Sequence, residues 1–244
     1  MNSCQTRLSV KASGALFMAL VFLGGCSASK DPLGADIREA LEVTKTSPED
    51  WEDSPERAYD PKVILRRAEG LYQRKDYLEA VSEYQHFLEL HPLHPWADYA
   101  QLKLAISHFN QFTTIDRDAG PIRKSIVEFE KLISVYPESR YIEEAEKRIV
   151  ISRDRLGQHE FYVGRFYYKT KAYLAAIRRL EGLLEGYPGH SLEPDALFYL
   201  GRSYAADGDP EKAAAYFDDL LRRFPESLYI EKARRDLSRP ETSS

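Results

Sequence analysis

The chain has 244 residues, with 34 lysines and arginines against 39 aspartates and glutamates, a net charge of −5 at pH 7. That balance, with no basic stripe, argues against a nucleic-acid-binding surface and against electrostatic attraction to anionic lipid. The length suits one large domain or one repeat array, and two cysteines, Cys4 and Cys26, are too few for a disulfide framework.

Residues 1–13 carry Arg7 and Lys11 and no acid, and residues 14–25 are apolar. An apolar run of that length falls short of the roughly 20 residues a membrane-spanning helix needs, but it fits the core of a secretion signal. It closes on Leu23-Gly24-Gly25-Cys26, which reads as a lipobox: small residues admit the peptidase, and the cysteine sulfur carries the lipid. Residues 1–25 are thus expected to be removed together with Cys4. The mature chain then keeps 32 basic and 39 acidic residues, a net charge of −7. Its one cysteine, Cys26, is lipidated, so it has neither a disulfide nor a free thiol. Two or more acyl chains on one residue anchor stably, where one chain does not. Ser27 follows, rather than the Asp that retains lipoproteins in the inner membrane, so the expected location is the outer membrane, on its periplasmic face.

Residues 26–60 read as the lipidated N-terminus and an acidic, solvated tether, with Pro32, Pro48 and Pro55 and the cluster Glu49, Asp50, Glu52, Asp53 and Glu56. A short helix over Ile37–Lys45 is compatible with the pattern, and Trp51 stands alone among the acids.

From residue 61 to 238 the pattern is helical and repeats. Ala80, Ser125, Ala176 and Ala213 are each followed four, seven and twelve positions later by a large apolar residue, another apolar residue and proline. The prolines are Pro92, Pro137, Pro188 and Pro225, and Gly164 with Tyr167 matches Gly201 with Tyr204 in the preceding helices. This resembles the tetratricopeptide (TPR) repeat, a helix–turn–helix unit. The expectation is an all-α TPR-type solenoid of about four units. Small residues sit where paired helices approach, and proline ends each second helix because it disfavours helix in the residue before it. Unit two carries an inserted loop, Thr113–Pro121, whose Asp116-Arg117-Asp118 is expected to fold on itself through an arginine–carboxylate pair. A run from Tyr141 to Thr170 reads as one or two long helices. A helix near Ser227–Leu237 caps the array, and residues 239–244 read as a disordered tail.

A TPR array presents the first helix of each unit on its inner side. Counting from the signature glycine gives Leu65 and Tyr72 in unit one, and Tyr99, Leu102, Ile106 and Phe109 in unit two. Units three and four contribute Phe161, Arg165 and Tyr168, then Phe198 and Arg202. Aromatic, aliphatic and arginine side chains together suit extended peptides that carry apolar side chains and a carboxylate.

No catalytic motif appears, so no enzyme activity and no cofactor is expected. His91 and His94 lie three apart in a proline-pinned turn, with no third ligand in view, so no metal site is assigned. Glu143-Glu144 reads as solvated helix surface.

Several segments together resemble the BamD (YfiO-like) family of outer-membrane β-barrel assembly lipoproteins. They are His91-Pro92-Leu93-His94-Pro95-Trp96-Ala97-Asp98-Tyr99-Ala100, Asp116-Arg117-Asp118, Tyr136-Pro137-Glu138-Ser139-Arg140-Tyr141, Arg153-Asp154-Arg155-Leu156, and the stretch from Glu160 through Tyr167-Tyr168, Ala172-Tyr173 and Arg179-Leu180-Glu181 to Tyr187-Pro188. The resemblance covers roughly residues 60–226. It implies a scaffold of the Bam complex, with a BamA-type barrel protein and other Bam subunits as partners. The family's N-terminal units receive unfolded outer-membrane proteins, and its C-terminal half docks on a POTRA domain. The family typically has five units where four are counted here. Arg179, on the second helix of unit three, is the residue the resemblance marks as facing the partner. The alternative is a TPR lipoprotein of another envelope machine, serving pilus or secretin assembly or a Tol-type complex.

Overall fold

The computed structural model describes residues 34–41, 59–114 and 118–238, and all regular structure in them is helical. The signal segment, Cys26, Trp51, Asp116-Arg117 and the tail lie outside the described residues. The helices are α1 (Ala35–Ala40), α2 (Pro61–Gln73), α3 (Tyr77–Leu90), α4 (Ala97–Gln111), α5 (Gly120–Val135), α6 (Ile142–Lys169), α7 (Tyr173–Gly186), α8 (Glu193–Asp207), α9 (Pro210–Arg223) and α10 (Ile230–Leu237). No described helix is long and apolar enough to cross a membrane. From α2 onward each helix packs chiefly on its chain neighbours, as a stacked repeat does. The units are α2–α3, α4–α5, α6–α7 and α8–α9, and α10 packs against α9. This is the all-α TPR solenoid expected from the repeat spacing.

The spacing pattern is a burial pattern. Ala80, Ser125, Ala176 and Ala213 are buried, and so are the residues four and seven further on: Tyr84 and Phe87, Phe129 and Leu132, Leu180 and Leu183, Phe217 and Leu220. Three- and four-residue steps place them on one helical face, and each large side chain contributes about 1.5–3 kcal/mol by leaving water. The small positions set how closely two helices meet. A Cβ on Gly201 would lie 2.6 Å from Cε1 of Phe217, and one on Gly164 would lie 2.7 Å from Cγ of Leu180. Both glycines therefore hold the paired helix at contact distance.

The turn that follows each unit, the last leading into α10, is built alike. The residue two after the proline is His94, Ser139, His190 or Ser227. Its side chain accepts a hydrogen bond from the backbone N–H two residues on: Trp96 (3.1 Å), Tyr141 (3.2 Å), Leu192 (3.0 Å) and Tyr229 (3.3 Å). Each acceptor thus satisfies an amide at the start of the next first helix, where helical N–H groups have no internal partner. Within units one and three the helix turns through a non-glycine residue in left-handed conformation, Lys75 (φ 67°) and Lys171 (φ 63°), where unit four uses Gly208 (φ 91°).

Units one and two share a buried polar knot. Glu69 on α2 accepts from the Tyr84 hydroxyl at 2.5 Å and the Tyr99 hydroxyl at 2.8 Å. Its carboxylate lies 3.7 Å from Nζ of Lys103, and both charged side chains are fully buried. The ammonium also sits 3.1 Å from the ring centre of Tyr72, so a cation–π contact replaces part of its lost hydration. Burial and the facing Glu69 charge push the Tyr84 hydroxyl well above its usual pKa, which keeps it a donor.

Ahead of unit one, residues 34–41 are described. Within 26–60, the six-residue α1 forms behind Gly34 (φ 69°) and packs through Ile37 and Leu41, both buried. Of the span Ile37–Lys45, the part up to Ala40 is helical in α1, which begins at Ala35, and residues 42–45 lie outside the described residues.

Gly201→Val is expected to lower stability by about 1–3 kcal/mol through overpacking against Phe217, read as a drop in the urea midpoint at unchanged slope. Lys103→Met leaves Glu69 buried without its cation. It is expected to cost about 3–5 kcal/mol, with partial recovery when Glu69→Leu is added, as measured in the same denaturation experiment.

Candidate functional site: an aromatic–arginine face and a carboxylate-bridged arginine pair

The first helices of units three and four, α6 and α8, bring four aromatic rings into one cluster, and Tyr229 in the turn before α10 adds a fifth. Tyr199 is its hub: its ring centre lies 5.9 Å from Phe161, 5.2 Å from Tyr168, 5.5 Å from Phe198 and 6.2 Å from Tyr229. Phe198 and Tyr229 stack at 4.4 Å and 18°. Edge-to-face and stacked pairs of this kind add to area burial and fix ring orientation. Two guanidinium groups border the cluster. Arg165 lies 5.6 Å from the Phe161 ring, and Arg202 lies 5.7 Å from Tyr168 and 5.8 Å from Phe198. Arg202 also pairs with Asp236 on α10 at 3.5 Å, its side chain 44% exposed. The open edge of this face is therefore cationic over an aromatic floor, chemistry suited to a peptide with aromatic or apolar side chains and a carboxylate.

The sequence expectation for inner-face residues divides by location. Arg202 is exposed, and Tyr72, Arg165 and Tyr168 are half-buried. Leu65, Tyr99, Leu102, Ile106, Phe109, Phe161 and Phe198 are buried and face neighbouring helices. The cause is clearest on α4. That helix is covered on nearly every side from Ala97 to Phe109, because it packs between α3 and α5, with Tyr99 taken up by Glu69 of α2 and by Gly34. Arg148 and Arg155 of α6 lie 5.4 and 4.3 Å from the Phe109 ring centre. Counting positions from a repeat template shows which residue points off a helix, but not what the rest of the chain places against it. Tyr199 and Tyr229 escaped the same counting. Tyr199 is one residue past a template position, and Tyr229 belongs to the turn before α10.

A second surface lies on the α6–α7 side. Arg179 on α7 donates to Oε2 of Glu160 at 3.0 Å, and Arg123 on α5 donates to Oε1 of the same carboxylate at 3.1 Å. Glu160 is 10% exposed and Arg179 is 45% exposed, so one nearly buried acid aims two half-open guanidinium groups. Beside them is an open groove of about 600 Å³ lined by Arg178, Tyr167, Gly182, Gly186 and Tyr187. Nothing lies within 4 Å of where a Cβ on Gly182 or Gly186 would stand, so the α7 backbone is approachable there. The neighbours of Arg179 are structural: Leu180 packs under Gly164, and Glu181 accepts from the hydroxyls of Tyr204 at 2.6 Å and Tyr216 at 3.1 Å.

The described residues contain no cluster of three or more His, Cys, Asp or Glu side chains able to hold a metal. His91 Nε2 meets the Tyr59 carbonyl at 2.8 Å, and His94 caps Trp96, so both histidines serve turns. Asp118 accepts from the Gly120 N–H at 2.9 Å and so helps start α5.

The comparison with known families decides the lineage. A family model described as "YfiO: Outer membrane lipoprotein" matches residues 36–216. The chain belongs to the YfiO family. It is similar to the outer membrane protein assembly factor BamD of Rickettsia prowazekii, at 28% identity over 92% of this chain and 96% of that protein. It is also similar to BamD of Caulobacter vibrioides at 30% identity, over 65% of this chain but only 52% of that protein, and to BamD of Neisseria meningitidis serogroup A at 30%, over 69% and 67%. Among solved structures, the TPR protein YrrB is similar over 82% of this chain and 88% of its own, at 12% identity and a TM-score of 0.32. The repeat assignment rests on helix order and turns rather than on that likeness.

Tyr216 is pushed up to about 12 by burial and the Glu181 carboxylate, and Tyr204 and Tyr229 are raised further, by burial and by Glu181 and Asp195 respectively. Below the unfolded tyrosine pKa of about 10 both states hold the proton and stability is complete. Above it the unfolded chain loses protons that the native chain keeps, so stability falls as pH rises. Urea midpoints are expected to be level to about pH 9.5 and to decline beyond it, less steeply in Glu181→Gln.

Proposed function

We propose that this chain is a non-catalytic scaffold of the machinery that assembles outer-membrane proteins, anchored by lipid on Cys26 at the periplasmic face of the outer membrane. The observation that carries the reading is the family match over residues 36–216, joined to the near full-length alignment with the Rickettsia assembly factor. The proposed partner of the Arg179 surface is a POTRA domain of a BamA-type barrel protein, with other Bam subunits in the same assembly. Paired guanidinium groups held by Glu160 present planar donors that suit a partner carboxylate. The proposed role of the aromatic–arginine face on α6 and α8 is to receive extended segments of unfolded outer-membrane proteins. The mechanism is positional: the lipid fixes the compartment, and the repeat array holds two ligands at a set separation.

A mild-detergent pull-down from the native envelope is expected to recover a POTRA-containing barrel protein, and Arg179→Glu to lose most of it while leaving the unfolding free energy from urea denaturation within about 1 kcal/mol of wild type. Recovery of a secretin or Tol component in its place would assign the chain to a different machine. Cys26→Ser is expected to move the protein from the membrane fraction to the soluble periplasmic fraction. Persistent membrane attachment of that variant would remove the anchoring part of the reading.

A further inference from the structure

We infer that the first helices of units one and two form a docking site for a short helical segment, and that residues 34–41 of the same chain occupy it in cis. The contacts come from three successive repeat elements. Arg66 of α2 donates from Nε to the Leu41 carbonyl at 2.8 Å. The ring of Tyr99 on α4 abuts Gly34, where a Cβ would stand 2.0 Å from its Cε2. Arg140, in the turn before α6, donates to Asp36 at 2.8 Å and is braced by its own bond to the Tyr141 hydroxyl at 2.7 Å. Leu41 is fully buried and Ile37 is 5% exposed.

Three physical points separate this from an incidental contact. A six-residue helix is not stable alone in water, because nucleation costs more than so few hydrogen bonds return. The site must therefore supply its order. The ion pair Asp36–Arg140 is exposed on both sides, 62% and 58%, and so contributes orientation more than affinity. Affinity comes from Ile37 and Leu41, four residues apart on one helical face, with the acid directly before the first. The donors, moreover, are specific: a guanidinium aimed at the carbonyl that ends the turn, and a second guanidinium at the acid near its start. A segment of another protein with apolar residues at i and i+4 and an acid at i−1 matches the same site and has to displace residues 34–41 to enter.

Gly34 makes it testable without touching the array. Valine there meets the Tyr99 ring and is strained at positive φ, so Gly34→Val releases the segment and leaves the receiving side chains intact. The mature chain in mild detergent is titrated with a fluorescein-labelled peptide of residues 32–45, followed by anisotropy. Tethered through residues 42–58, the native segment competes at an effective concentration near the millimolar range. The labelled peptide is therefore expected to bind Gly34→Val at least about tenfold more tightly than wild type, and Arg140→Glu in that background to reverse most of the gain. Amide exchange at Arg38 and Leu41, which donate to the Gly34 and Ile37 carbonyls at 2.9 Å, is expected to be protected in wild type and fast in Gly34→Val. Equal binding to both proteins, binding to neither, or unprotected amides at Arg38 and Leu41 in wild type would overturn the proposal.

Discussion

The closeness of paired helices is the constraint on which the rest of this structure depends. A stacked repeat has no central core. Each helix can bury apolar surface only against its neighbours, so every unit needs a small residue opposite a large one. Gly201 against Phe217 and Gly164 against Leu180 show the limit, with no room for a single added carbon. The buried small residues Ala80, Ser125, Ala176 and Ala213 continue the rule on the partner helices. Once the pairs are that close, the turns between units have little freedom. Each is fixed by a proline and by a His or Ser that accepts the amide two residues on.

The polar knot of Glu69, Tyr84, Tyr99 and Lys103 adds directionality to this apolar scheme. Hydrophobic packing alone tolerates small slips of one helix past another. A buried carboxylate that takes two tyrosine hydroxyls, and faces an ammonium seated on a third ring, has one satisfactory arrangement. It ties α2, α3 and α4 in register. The same Tyr99 whose hydroxyl enters the knot offers its ring to Gly34. The order of units one and two and the docking of the N-terminal segment thus share a side chain.

The two outward surfaces rest on that scaffold in different ways. The Arg179 surface is organised by one carboxylate, Glu160, on the long helix α6. The aromatic face is organised by rings packed edge to face around Tyr199, and its cations stand at the border. One surface presents charge on a nearly buried anchor; the other presents apolar area with charge at its edge. These chemistries suit different ligands.

The sequence by itself determined the repeat. Its period, the four small-to-large patterns and the position of each proline follow from local rules of helix geometry and proline sterics, and all twelve of those small and large positions are buried as their spacing demands. The family, too, was legible in short segments such as Arg179-Leu180-Glu181. Tertiary structure alone decided which template positions stay open. Tyr99, Leu102, Ile106 and Phe109 are buried although the template leaves them open, because α4 is enclosed by its neighbours α3 and α5, by Glu69 of α2 and by the arginines of α6 over Phe109, and that enclosure is not a local property. It also decided the fate of residues 34–41. Their composition reads as tether, and only the presence of Arg66, Tyr99 and Arg140, brought together from three distant parts of the chain, gives Ile37 and Leu41 a place to leave water.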